Sequence, residues 1–171
     1  MTNKIDSASF RQIMGCFATG IAVMTARDPE EGTIGLTVNS LTSVSLAPPL
    51  VLFCLDKAAS LHPHFCRAEI FAINLLALEQ ETTSRYFANR HHQAKPKNLW
   101  DKPQQDCPIL RGTLGWILCR RHAVHEGGDH TILVGEVIDL HKRTTAKEPL
   151  LYFHGRYREL AAAKVTSGAR T

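Results

Sequence analysis

"GLTVNSLTSVSLAPPLVLFCLDKAASLHPHF" occupies Gly35–Phe65. The segment Ile34–Leu46 is rich in strand formers, yet Thr37, Asn39, Ser40, Thr42, Ser43 and Ser45 crowd into nine of its positions. A strand alternates its faces, so half of these polar groups can be solvated. Pro48–Leu55 is apolar and of strand length. Two readings of the hydroxyl cluster stay open. The plainer is a polar-faced strand running into a loop, which hydroxyls suit, and composition alone favours it. The other is a surface of amide and hydroxyl donors for a phosphate or a polar heterocycle, because oriented backbone N–H groups and Ser/Thr side chains hold anions without a P-loop. Further on, Lys57 and Ser60 lie near the start of Ser60–Cys66, predicted as one or two helical turns. Ser60 is there either an ordinary N-cap beside a solvated lysine, or part of a phosphate site made of cation, hydroxyl and helix N-terminus.

Working outward, Phe10, Ile13, Met14 and Phe17 recur at i, i+3, i+4, i+7 and mark one face of a helix over Ser7–Phe17, with Asp6 or Ser7 as N-cap. Gly20–Ala26 reads as a buried strand and "RDPEEGT" as a turn. Ile70–Leu76 is a further strand, and Leu78–Ala88 is predicted helical. The polar, proline-bearing stretch 89–108 reads as a long loop of the kind that is often functional or mobile. Gly112–Val124, His130–Leu140 and Pro149–Tyr157 complete about seven strand-like runs beside two or three short helices. Long helices do not alternate with the strands, so a small antiparallel barrel is expected in place of a doubly wound sheet.

The 171 residues suit one domain, read as residues 1–160 with a flexible tail over 161–171. With 44% hydrophobic and 21% charged residues, the composition is globular. The net charge of +4 is scattered and does not argue for nucleic acid. No apolar run is long enough to span a bilayer. The five cysteines are odd in number and include no Cys-x-x-Cys, which argues against a disulfide framework and a zinc ribbon and fits a reducing cytoplasm. Gly-x-Gly-x-x-Gly after a strand, a Walker loop and Gly-x-Ser-x-Gly are all missing. His62 and His64, two apart, would not face one another on a helix, and no third ligand is evident, so no metal site is expected. His91 and His92 are read as solvated. His130 follows Asp129 in a Gly-Gly-Asp turn, where a surface hydrogen bond is the commoner fate. His154 has the same plain reading. Arg156 and Tyr157 either bind a phosphate or a ring, or simply end a strand.

Several segments together, "FRQIMGCFATGIAVMTA", the stretch opened on, "FAINLLA", "SRYFA", "EGGDHTILVGEV" and "YFHGRYREL", resemble the flavin reductase-like, FMN-binding proteins. Each is weak alone; their order and spacing make the resemblance specific, from Phe10 to about Arg158. The resemblance implies a mainly β fold, a six-stranded antiparallel Greek-key split barrel with a few short helices, usually a homodimer. It implies NADH or NADPH as hydride donor, FMN or FAD as acceptor, and a flavin-dependent monooxygenase as the recipient of reduced flavin. By the same resemblance, Thr37, Val38, Asn39 and Ser40 lie along the flavin ring, and Ser43, Val44 and Ser45 continue that surface. Cys54, Leu55, Lys57, Ser60 and Leu61 belong to the ribityl and phosphate side, with Asn74, Arg85 and Phe87 as looser members. His130, Phe153, His154, Gly155, Arg156 and Tyr157 match the part that receives the nicotinamide nucleotide, with His130 as a positioning group. Ala47 departs from the Asp of many relatives, and the 89–108 loop is less family-like. A flavin- or haem-binding barrel without turnover is the alternative. A hydrolase or metal enzyme has no assembled constellation behind it.

Overall fold

A computed structural model describes residues 5–88, 96–144 and 147–161. Helix α1 (Ser7–Gly15) begins where Asp6 accepts hydrogen bonds from the Ser9 N–H at 2.9 Å and the Ser9 hydroxyl at 3.1 Å. Phe10, Ile13 and Met14, with Phe17 just beyond the helix, form the apolar face that the spacing predicts, but it stays exposed, and among the described residues nothing covers it.

Among the described residues ten strands follow: β1 (Thr19–Gly20), β2 (Ala22–Asp28), β3 (Gly32–Val38), β4 (Thr42–Leu46), β5 (Pro49–Asp56), β6 (Ile70–Leu75), β7 (Gly115–Gly127), β8 (His130–Lys142), β9 (Leu151–Phe153) and β10 (Arg156–Arg158). Two more helices, α2 (His62–Arg67) and α3 (Glu81–Ala88), sit before and after β6. The fold is mainly β, with few helices. The count exceeds the expected seven runs by three because Ile21 separates β1 from β2, Asn39–Leu41 breaks the hydroxyl-rich segment in two and His154-Gly155 folds the last one into a hairpin.

Seven strands form one antiparallel ladder in the order β3-β2-β6-β7-β8-β5-β4, and β1, β9 and β10 form a second, small sheet. The large sheet cannot be flat. Its first and last members, β3 and β4, are consecutive in the chain and separated by residues 39–41 alone. Four residue steps span at most about 14 Å, whereas six strand spacings laid flat span about 29 Å. The sheet therefore rolls until its ends approach. The core records this roll: Ile34 and Val38 of β3 share one buried cluster with Val51, Phe53 and Leu55 of β5, closed below by Phe65 of α2. Phe53 and Phe71 meet edge to face in it, with centroids 5.5 Å apart. The two ends stay unpaired with each other, so β3 keeps one free edge.

The described part of the 89–108 loop and the residues just after it dock on the sheet. Leu99, Cys107, Ile109 and Leu110 are buried against the sheet, and short bridges join Trp100 to Leu110 and Gln104 to Cys107. Its apolar residues are spaced too irregularly to announce this docking. His91 and His92, and the tail beyond residue 161, lie outside the described residues.

Where β7 crosses β8, Gly135 leaves no room: an added Cβ would stand 2.6 Å from Phe71 Cζ and 2.8 Å from Cys119 Cβ. Gly135→Ala should lower stability by about 1–3 kcal/mol through overpacking, read as a lower urea midpoint with an unchanged m-value.

Candidate functional site

A cleft of about 400 Å³ lies against the free edge of β3, and Leu36, Thr37, Val38, Asn39 and Ser40 form its floor. One wall comes from β5 and the turn after it: Cys54, Leu55, Asp56, Ala59, Ser60 and Leu61. Phe87 and Ala88 of α3 form the opposite side, and His130 stands at the rim. An edge strand presents backbone N–H and C=O groups that no neighbouring strand answers, so the floor itself supplies donors and acceptors to a bound molecule. Gly35 lets α3 lie close to that floor, since a Cβ there would sit 2.5 Å from the Phe87 ring.

Most hydroxyls of the cleft are already committed. The Thr37 hydroxyl donates to the Ser84 carbonyl at 2.7 Å. The Ser40 hydroxyl accepts from Cys54 N–H at 2.9 Å and donates to Cys54 C=O at 3.3 Å, which pins residues 39–41 to β5. Among the described residues, the side chains of Asn39 and Ser60 make no such bond, leaving an amide and a hydroxyl for a ligand. Ser60 is not the N-cap of α2, however. Leu61 occupies that place with no side-chain cap, because Pro63 needs no N–H partner at the helix start and Ser60 falls in the preceding turn. The reading of Ser60 as a helix N-cap is thereby corrected; its hydroxyl still lines the cleft.

His130 pairs across the sheet with Asp56 and faces the cleft from the start of β8. Its Nδ1 lies 2.8 Å from Asp129 Oδ1, so the two sequence neighbours do touch. The imidazole hydrogen bond holds the Asp129 carboxyl below its ordinary range.

The remaining expected residues lie elsewhere. Ser43, Val44 and Ser45 are on β4, outside the cleft, and Val44 is exposed. The Lys57 ammonium is engaged by the Glu126 carboxylate and, at 2.7 Å, by the Gly128 carbonyl. Asn74 is fully buried: its amide donates to Val23 C=O at 3.0 Å and Thr25 Oγ1 at 2.9 Å and accepts from Leu110 N–H at 2.8 Å. It welds β2, β6 and the docked loop and does not line the cleft. Arg85 pairs with Glu81 at 2.7 Å and lies 4.6 Å over the Tyr157 ring. Tyr157 and Tyr152 line a smaller niche of about 200 Å³ that shares Thr37, Val38, Asn39 and Ala88 with the main cleft. His154 and Gly155 turn away to a surface groove beside α1. Phe153 is half-buried and packs its ring on His154, and Arg156 is exposed.

Sequence reasoning missed Leu36, Asp56, Ala59, Ala88, Tyr152 and Ser84. Ser84 is the informative one. Its hydroxyl lies 2.9 Å from the Tyr157 hydroxyl, joining α3 to β10. A small polar residue one turn before an apolar position, here Ser84 before Phe87, is the one signal for it.

The family model described as "Flavin reductase like domain" matches residues 14–161. The chain belongs to this family. Within it, the flavin reductase-like chain is 44% identical over 152 residues to an FMN reductase (NADH) of Agrobacterium fabrum, SmoA, covering 89% of this chain and 85% of that protein. It is 36% identical to a flavin-dependent monooxygenase reductase subunit of Rhodococcus jostii, covering 90% and 77% respectively. Among solved structures, the NADH:FAD oxidoreductase of Streptomyces globisporus with NAD and FAD fragments superposes with a TM-score of 0.81 at 37% identity, covering 91% of this chain and 93% of that one.

One cluster outside the cleft gathers ligand-type groups: Asp28, Glu30 and His64. The Arg67 guanidinium already lies 3.9 Å from Asp28, 3.5 Å from Glu30 and 3.2 Å from His64 Nδ1. A cation is thus supplied by the protein itself. The Asp28 carboxyl, bonded first by the Glu31 N–H and then by Glu30 N–H and His64, is held below its usual range. Its stabilising effect is present above the ordinary carboxylate range and is lost as pH falls through its lowered value. Asp28→Asn should therefore flatten the acid side of a stability-against-pH curve. Asn74→Ala should cost about 3 kcal/mol through stranded buried groups while flavin affinity, followed by fluorescence quenching, stays within about two-fold.

Proposed function

We propose that the chain is an NADH-dependent flavin reductase that passes a hydride to FMN or FAD and hands the reduced flavin to a partner monooxygenase. The observation that supports it best is the cleft on an open strand edge, with His130 at its rim, in a chain closely similar to a protein solved with NAD and FAD fragments. The residues fit the cofactor. The volume suits a drug-sized ligand, and the floor offers backbone donors and acceptors where a planar heterocycle needs them. When bound, the flavin supplies the hydride-accepting ring and the nicotinamide the hydride.

The protein's part is positioning. Val38, Asn39 and the backbone of Thr37–Ser40 hold the ring plane, while Ser60 and Leu61 receive the ribityl and phosphate end. Phe87 excludes water from one side. His130 orients the nicotinamide at the open rim, and Tyr157 offers an aromatic face in the adjoining niche. Holding two rings at reactive distance is the main catalytic task of such a site. Backbone N–H groups along the free edge of β3 would favour the charge that a bound flavin gains with the hydride.

The reading extends to the assembly. The uncovered apolar face of α1, with Phe17 70% exposed, lies on a molecule whose β4 also exposes Leu46 at 95%. A second copy of the chain is the proposed cover, giving a homodimer. Strands β2, β3 and β5 to β8 would form the six-stranded split barrel, with β4 as its flank, in one domain over residues 1–160. NADPH remains a second donor to try. The cytoplasm is the proposed location, supported by five unpaired cysteines.

The test is turnover. Purified protein with NADH and either flavin should consume NADH, followed at the nicotinamide absorbance band, well above the flavin-only rate. His130→Ala should raise the KM for NADH about ten-fold or more with little change in flavin affinity. No oxidation with either flavin and either nicotinamide would overturn the reading, and retained yellow colour without turnover would favour a binding module.

A further inference from the structure

The turn that carries His130 is built from the most permissive backbone available. Gly127 and Gly128 precede Asp129, and Gly128 adopts φ +76°. Glycine pairs lose the most conformational freedom on ordering. A residue that must orient a ligand needs the opposite, a fixed position. Resting on the reading above, we propose that Lys57 is a positioning residue: it clamps the 126–129 turn and so sets where His130 stands, in place of holding the flavin phosphate.

Four contacts carry this. The Lys57 N–H donates to the Asp129 carbonyl at 3.0 Å. Its ammonium donates to the Gly128 carbonyl at 2.7 Å and pairs with Glu126. Beyond the turn, His62 Nε2 lies 2.8 Å from the Thr131 hydroxyl, holding the residue after His130 to the start of α2. Lys57 therefore reaches the turn from both its backbone and its side chain, at two successive carbonyls and one carboxylate. The carboxyl of Glu126 is held below its usual range by the Lys57 hydrogen bond.

The ammonium's engagement also bears on the phosphate reading. Lys57 does not line the cleft, although Asp56 before it and Ala59, Ser60 and Leu61 after it do. Its ammonium donates to Glu126 and Gly128 and, among the described residues, not to Ser60. An exposed pair of this kind contributes little to stability. What it contributes is location, because it ties the flavin-side turn to the nicotinamide-side turn.

Lys57→Met, Lys57→Arg and Glu126→Gln separate the possibilities. Lys57→Met should raise the KM for NADH about five-fold or more, leave flavin affinity within about two-fold, and shift the His130 ring resonances in the proton NMR spectrum. Lys57→Arg should restore all three, and Glu126→Gln should move the same quantities in the same direction by less. The ring resonances, assigned with His130→Gln, report the clamp whether or not the wild-type protein turns over NADH, so failure of the reductase reading shows separately in wild-type turnover. A rise in flavin Kd with Lys57→Met and none with Glu126→Gln would assign Lys57 to the phosphate and overturn the proposal. Unmoved His130 resonances in Lys57→Met would overturn it as well.

Discussion

Three residues, Asn39, Ser40 and Leu41, join strands that the hydrogen-bond ladder puts at opposite ends of a seven-stranded sheet. The rest of the molecule follows from that short tether. It rolls the sheet, gathers Ile34, Val38, Phe53 and Leu55 into one core, and brings the free edge of β3 beside the end of β5. The cleft lies along that edge. Ser40 secures the arrangement, because its one hydroxyl satisfies both the N–H and the C=O of Cys54. A cleft made this way needs few special side chains, since unpaired backbone does the recognising and the neighbours need only keep it open and dry.

This explains what was legible beforehand and what was not. The mainly β class follows from runs such as Pro48–Leu55 and His130–Leu140, whose apolar content matches strands. The cap of α1 was legible at Asp6. The hydroxyl-rich stretch was read as one strand-like run, whereas it breaks at Asn39–Leu41, and its chemistry was not readable from composition: Thr37 and Ser40 use their hydroxyls on the protein, while Asn39 does not. Both kinds of residue look alike in a string of letters. Asn74 shows the same limit. Its position along β6 was plain, but only the docked loop, through Leu110, reveals that its amide is consumed inside the core.

Charge was the least legible quantity. Lys57 and Glu126 are far apart in sequence, and no periodicity links them; the β5–β8 ladder, which pairs Asp56 with His130, brings them together. Asp129 and His130 are adjacent and still needed the turn's geometry to be recognised as a pair. By contrast, Arg85 and Glu81 lie four apart on α3, where a helix places such partners side by side.

Burial of two thiols has a consequence for a protein of this chemistry. Reduced flavin that meets oxygen before reaching an acceptor yields peroxide, and the attacking form of cysteine is the thiolate. Desolvation pushes Cys107 and Cys119 up to about 12. Both stay protonated under any physiological condition and start poorly on the path to sulfenic acid. These two core thiols are thus insulated from the by-product of turnover, whereas Cys54, which lines the cleft, and Cys16, exposed at the end of α1, are not buried in this way.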